Sequence, residues 1–144
     1  MVDSKRKGAN WERDAIKILN QKYPNTWKKI PGSGSLGTIM HWDNLRGDLI
    51  GNYYFLPKRI RGEAKTGYGG ATQLTVKRDW LSKIREEAET NLGDIPCLIC
   101  KFSGSRTDVR YFIAFDFNAW YDLLDCIEEL YLENVDLLEK LHGT

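Results

Sequence analysis

The sequence predicts an α/β domain, a central mixed β-sheet flanked by helices. Three observations carry this reading. Residues 7–23, 77–91 and 119–141 repeat their apolar residues at helical spacing. Residues 95–102 form a short, near-continuous apolar run, the pattern of a strand buried on both faces. Residues 48–55 and 60–66 flank Pro57, Lys58 and Arg59, where a chain reversal makes them a hairpin. At 144 residues and 42% apolar content, the chain has the usual size of one domain and enough apolar side chains for a core.

The first helix is expected over 7–23, stopping before Pro24, with residues 1–6 as a flexible basic N-terminal arm. Ile16, Leu19 and Tyr23 follow Glu12 at i+4, i+7 and i+11, so Glu12 sits on or beside the apolar stripe that Trp11, Ala15 and Ile18 widen. A carboxylate facing a core is costly unless it is paired or bound to a metal. The plainer reading is a first-turn acid favoured by the helix dipole.

Pro31-Gly32-Ser33-Gly34-Ser35-Leu36-Gly37 reads as a loop. Glycines let a backbone approach a phosphate closely, and serines donate hydrogen bonds to it. No Gly-Lys-Ser/Thr follows, so it is not a P-loop. A flexible linker is the default for such a segment; its place just before Asp48 argues for a loop that faces substrate.

Asp48 is followed, after the expected turn, by Glu63-Ala64-Lys65. Alternation along a strand points Glu63 and Lys65 to the same side, and the hairpin is expected to place Asp48 roughly opposite Lys65. Two carboxylates and a lysine then share one patch. Such carboxylates can bind Mg²⁺, which prefers oxygen ligands and keeps several waters, and Mn²⁺ is expected to substitute. The ion polarises a phosphoryl oxygen and activates water, and the lysine stabilises developing charge or orients the water. The competing reading is a solvated hairpin with an exposed Glu–Lys pair.

In the helix at 77–91, Trp80, Leu81, Ile84 and Ala88 share a face, leaving Arg85, Glu86, Glu87 and Glu89 mostly to solvent. Tyr111 to Phe115 is a further strand, and Asn118 is the expected N-cap of the last helix. That helix lies in an acidic C-terminal segment, 118–144, with a break near Asn134 that divides it in two. Part of it packs on the sheet. Its surplus apolar surface is read as a dimer contact.

Charge is divided along the chain. Residues 1–85 hold 17 Lys/Arg against 7 Asp/Glu, a net of +10, whereas residues 86–144 hold 4 against 13, a net of −9. A basic half that also carries the acid cluster suggests a polyanionic ligand. Lys5-Arg6-Lys7, Lys28-Lys29, Lys58-Arg59-Arg61 and Lys77-Arg78 are the candidate phosphate contacts. Cys97 and Cys100 form a Cys-x-x-Cys, but i and i+3 on a strand point to opposite faces and cannot share a metal. With Cys126 they read as small buried apolar residues of a reducing interior, and with no membrane span or signal segment visible the expected location is the cytoplasm, or the host cytoplasm for a viral protein.

Lys7-Gly8-Ala9-Asn10-Trp11-Glu12-Arg13, the Gly32–Ser35 loop, Gly47-Asp48-Leu49-Ile50, Gly62-Glu63-Ala64-Lys65, Val76–Asp79 and Ile95–Phe102 together resemble the ordered motifs of the archaeal-type Holliday junction resolvases, a branch of the PD-(D/E)XK nuclease superfamily. The likeness runs from residue 5 to about residue 117 and implies a single restriction-endonuclease-like domain over 1–144. It implies that Asp48 and Glu63 bind metal with support from Glu12, and that Lys65 is the catalytic lysine. Ser35 matches the catalytic loop serine near the scissile phosphate, with Ser33 a close rival. Lys5, Arg6, Lys7, Arg13, Ser33, Lys77 and Arg78 are then the expected DNA contacts. The implied reaction is Mg²⁺-dependent hydrolysis of DNA phosphodiesters, with a homodimer placing two sites on a four-way junction and nicking two strands symmetrically. The chain departs from the family in two places. Trp80 occupies the region where members often carry a Gln, and Leu36 to Arg46, holding Met40, His41 and Trp42, is longer than usual.

Four functions compete at this stage: a junction-selective endonuclease, a restriction-like or repair nuclease acting on other DNA, a junction-binding protein with a degenerate site, and an RNA-processing nuclease. The favoured reading is the first. Glu12, Asp48, Glu63 and Lys65 are all present, which disfavours a decayed site.

Overall fold

The computed structural model describes residues 4–30, 48–67, 72–91, 93–104 and 109–143. The elements are α1 (Ser4–Leu19), β1 (Trp27–Lys29), β2 (Leu49–Gly51), β3 (Ile60–Thr66), α2 (Arg78–Glu89), β4 (Ile95–Lys101), β5 (Tyr111–Ala114) and α3 (Phe117–Leu141). The strands form one mixed sheet in the order β1-β2-β3-β4-β5. β3 and β4 are parallel and joined through α2, and every other neighbouring pair is antiparallel. This is the α/β architecture of a restriction-endonuclease-like domain.

Helix α1 begins earlier and ends earlier than its apolar spacing predicts. Ser4, Lys5 and Arg6 belong to the helix rather than to a flexible arm. At the other end, Asn20 closes the helix before Pro24 is reached. Its Oδ1 accepts from the Thr26 and Trp27 backbone N–H groups at 3.1 and 2.8 Å, and its Nδ2 donates to the Trp27 carbonyl at 3.1 Å. One side chain thus ties the end of α1 to the start of β1.

The sheet has two different faces. On one, α1 and α3 cover Trp27, Leu49, Ile60, Cys97 and Ile99, contributing Trp11, Ala15, Ala119 and Cys126 to the same cluster. The Trp11 Nε1–H donates to the Ile99 carbonyl at 3.1 Å, which satisfies the indole inside this layer. On the other face, α2 brings Ile84 against Leu98 and Cys100. Cys97 and Cys100 therefore point to opposite sides, as strand alternation requires; all three cysteines are free and buried, and burial raises the Cys97 thiol and pushes Cys100 up to about 12.

Gly51 is dictated by packing. A Cβ at this position would lie 2.5 Å from Cε2 of the Trp27 indole, a rigid ring that cannot move aside.

The last helix starts at Phe117, capped by Asp116 rather than Asn118. The Asp116 side chain accepts from the Ala119 backbone N–H at 2.7 Å. Asp116 also receives the Arg85 guanidinium, with Nε at 2.8 Å, so Arg85 is a link between α2 and α3 rather than a solvated residue. Burial pushes the Asp116 carboxyl up, but the hydrogen bonds from Arg85 and Ala119 outweigh it and hold the group below its usual range. Helix α3 continues unbroken through Asn134 to Leu141, so the irregular apolar spacing does not divide it.

Candidate functional site

The β2–β3 hairpin sets the site. Leu49 pairs with Gly62, Ile50 with Arg61 and Gly51 with Ile60. One step further along this register Asp48 comes level with Glu63, two residues short of the expected Lys65. The cause is the length of the reversal, which takes up residues 52–59 and leaves β2 only three residues long. Leu49 and Ile60 turn to the α1/α3 face, so alternation sends Asp48, Arg61, Glu63 and Lys65 to the α2 face.

Glu63 and Lys65 meet there: Lys65 Nζ lies 3.1 Å from Glu63 Oε1. Lys65 Nζ also stands 4.5 Å from the centre of the Trp80 ring on α2, a cation–π contact. Trp80 thus supports the lysine from the helix side. Lys77 reaches the same ring at 5.8 Å.

Asp48 is held by Arg61, whose Nη1 donates to Asp48 Oδ2 at 2.7 Å. The other edge of this guanidinium, Nε, donates to Asp94 Oδ2 at 3.1 Å. Asp94 also receives Arg59 through both its oxygens, each at 3.1 Å. Arg61 and Asp94 side chains are only 5% and 3% exposed, so they form an internal brace, with Arg59 at its more exposed edge. Of the Lys58-Arg59-Arg61 run expected to contact phosphate, Arg61 is buried and engaged on both edges and so is not free to do so. Planar two-edged donation is what lets one Arg bind two carboxylates at once.

Glu87 is the functional candidate that sequence reasoning missed. Instead of facing solvent, it is partly buried and hydrogen-bonds Asp48. Burial, this hydrogen bond, the Asp48 charge and the Glu63 charge push its carboxyl up to about 8, against the opposing pull of Lys83. A signal was present: Trp80, Ile84 and Glu87 are spaced i, i+4, i+7, the face by which α2 meets the sheet.

Glu12 comes from the other side of the sheet. It is 4% exposed on α1, the helix of the opposite face, and its Oε2 lies 2.8 Å from Lys29 Nζ on β1. The approach is an ion pair without the angle of a hydrogen bond, and that oxygen has no hydrogen-bond donor. The buried carboxylate predicted from helical spacing is therefore correct, but its partner is a lysine. Among the other expected contacts, Arg13 is exposed and donates to Asn10 Oδ1 at 2.9 Å. Lys7 reaches the Gly67 carbonyl at the end of β3. Arg6, Lys77 and Arg78 are exposed. Ser33, Ser35 and the Leu36–Arg46 stretch with His41 lie outside the described residues, as does the Lys5 side chain.

Among the described residues no group of three or more His, Cys, Asp or Glu side chains is arranged to hold an ion by itself. The donors available are still of the kind Mg²⁺ takes: one or two carboxylates, with water and substrate oxygens completing the shell. Burial and the Asp48 carboxylate beside it push Glu87 up, and the repulsion between the two is of the kind a divalent cation relieves. The residues fit such an ion on these grounds.

A family model described as "Phage putative PDDEXK endonuclease" matches residues 3–139. No curated protein and no solved structure matches the chain. No helix among the described residues is long and apolar enough to cross a membrane.

Proposed function

The chain belongs to the phage PDDEXK endonuclease family, a family of nucleases, and from that premise we propose that it is a Mg²⁺-dependent, structure-selective DNA endonuclease that resolves four-way junctions by paired nicks. The observation that carries the nuclease chemistry is the joint presentation of Asp48, Glu63 and Lys65 on the α2 face of one hairpin. The choice of a branched substrate rests on the ordered motif likeness and on the basic N-terminal half.

In this reading Asp48 and Glu63 hold the ion, with Glu87 beside them. The bound ion supplies Lewis acidity to a phosphoryl oxygen and lowers the pKa of a coordinated water. Arg61 fixes the Asp48 carboxylate in place, braced through Asp94, so that little reorganisation is needed when substrate arrives. Lys65, positioned between Glu63 and the Trp80 ring, faces the charge that develops on the phosphate. Lys77 and Arg78, exposed where α2 begins, contact the backbone of the DNA. Glu12, paired with Lys29 on β1, supports the site from the α1 side.

A restriction-like or repair nuclease acting on other duplex or branched DNA is the second reading, compatible with the family's description as an endonuclease. Cleavage of a labelled synthetic four-way junction beside its matched linear duplex separates the two, run with Mg²⁺ or EDTA and with wild type or Asp48→Asn. Paired nicks in the junction alone, lost with EDTA and with the variant, are the expected result. Equal cutting of both substrates overturns junction selectivity and leaves the nuclease. Tight junction binding without cutting overturns the catalytic reading.

A further inference from the structure

Helix α3 carries two apolar faces, and the body of the protein uses one. Ala119 and Cys126 are buried in the core, and Leu123 packs against it. About a quarter turn away runs a second stripe with an unbroken seven-residue period. Phe117, Leu124, Tyr131 and Leu138 recur at intervals of seven, and Trp120, Ile127, Asn134 and Leu141 recur three residues after each of them. This is the a/d pattern of a coiled-coil seam, sustained through the whole 25-residue helix. The seven apolar residues of the stripe are each between 39% and 81% exposed, and Asn134 is exposed as well. A helix packed only on its own domain needs one stripe, not a second in heptad register.

We propose that this seam pairs with the same helix of a second copy of the chain, as a parallel two-stranded coiled coil. The proposal deepens the paired-nick reading, since it names the surface that would join two sites. Charge placement supports this occupant. Residues 117–141 hold seven acids and one lysine, a composition that repels nucleic acid and anionic lipid alike. Yet with Phe117 as position a, six of those acids fall at b, c and f, on the side away from the seam. Only Glu128 flanks it, at an e position, while Leu123, Leu130 and Leu137 fill every g position. Two acidic helices therefore meet along an apolar strip with their carboxylates turned outward. Asn134 fixes the direction. In the parallel arrangement it faces Asn134 of the second copy, and the two amides hydrogen-bond. With the seams fully overlapped but antiparallel it would face Leu124, leaving a buried amide without a partner. The gap that sequence spacing shows near Asn134 is thus a polar layer in the seam, not an end of the helix.

The test is the molar mass of the full chain in solution, by light scattering on a sizing column, for wild type and for Leu124→Glu/Ile127→Glu. Both substituted positions are exposed, so the variant keeps its fold, which its circular dichroism and melting temperature check. Asn134→Cys adds a second readout, since facing d positions of parallel helices are close enough for a disulfide. The expected results are twice the monomer mass for wild type, the monomer mass for the double variant, and a covalent dimer when Asn134→Cys is mildly oxidised. A monomeric wild type, or a dimer unaffected by the double substitution, overturns the seam. A dimer dissociated by the double substitution but not cross-linked through Asn134→Cys overturns the parallel arrangement. None of these readouts involves cleavage, so they stand or fall apart from the nuclease reading.

Discussion

Glu87 and Asp48 share a hydrogen bond between α2 and the hairpin, and burial together with this neighbour pushes the Glu87 carboxyl up to about 8. The folded protein holds the Glu87 proton up to about pH 8, whereas the unfolded chain releases it near the ordinary value of 4.5. Between these values the native state binds more protons than the unfolded state, so stability falls as pH rises through that window and levels off above it. Denaturant midpoints measured from pH 4 to 9 are expected to show this decline, and Glu87→Gln to flatten it. Added Mg²⁺ is expected to displace the proton and raise the midpoint at pH 8 in wild type more than in the variant. A Glu87→Gln profile that declines as wild type does would remove Glu87 from this role.

Arg61 stands between Asp48 and Asp94 with almost no exposure. Arg61→Met leaves Asp94 with Arg59 and removes the guanidinium that holds Asp48. The expected loss of stability is about 3–5 kcal/mol, the cost of breaking a buried pair from one side. Arg61→Lys restores little of it, because an ammonium cannot donate along two edges of a plane. Urea unfolding of both variants checks this, and a Lys variant as stable as wild type would contradict the two-edged brace.

Asp48→Asn and Glu63→Gln are expected to abolish cleavage while leaving DNA affinity equal or tighter, since each removes a negative charge from the phosphate's neighbourhood. The amide in Asp48→Asn still offers an oxygen to Arg61, so the fold survives at a cost of about 1 kcal/mol. Single-turnover cleavage and binding in Ca²⁺ or EDTA separate the two effects. Either variant cutting at the wild-type rate would exclude that carboxylate from the metal site.

Lys77 and Arg78 sit exposed at the start of α2, and Lys77 shares the Trp80 ring with Lys65. Replacing either with Ala is expected to weaken binding to all DNA sequences and to reduce the salt dependence of binding by about one unit of slope. Titrations over a range of salt concentrations measure the slope directly, and an unchanged slope rejects the residue as a phosphate contact.

The chain's sequence by itself determined three helices and four of the five described strands, because each rests on a local pattern, whereas the three-residue β1 at Trp27–Lys29 is too short to show one. The sequence placed Glu63 and Lys65 on one side of a strand, paired that strand with the segment after Asp48, and turned Cys97 and Cys100 to opposite faces, all consequences of two-residue alternation. Helical spacing likewise marked Glu12 as buried. What only the tertiary structure decided is which charges meet. Glu12 finds Lys29 17 positions on, Arg61 finds Asp94, and Glu87 finds Asp48 across nearly 40 residues. The hairpin register, which moved Asp48 from Lys65 to Glu63, depends on how many residues the turn absorbs, and no periodicity reports that. The free stripe on α3 is of the same kind. Its heptad is written in the sequence, but that it remains uncovered follows from which face of the helix the sheet takes. Alternation and helical pitch fix directions along an element; contacts between elements are fixed by docking, where burial and charge pairing act over distances in sequence that no local pattern spans.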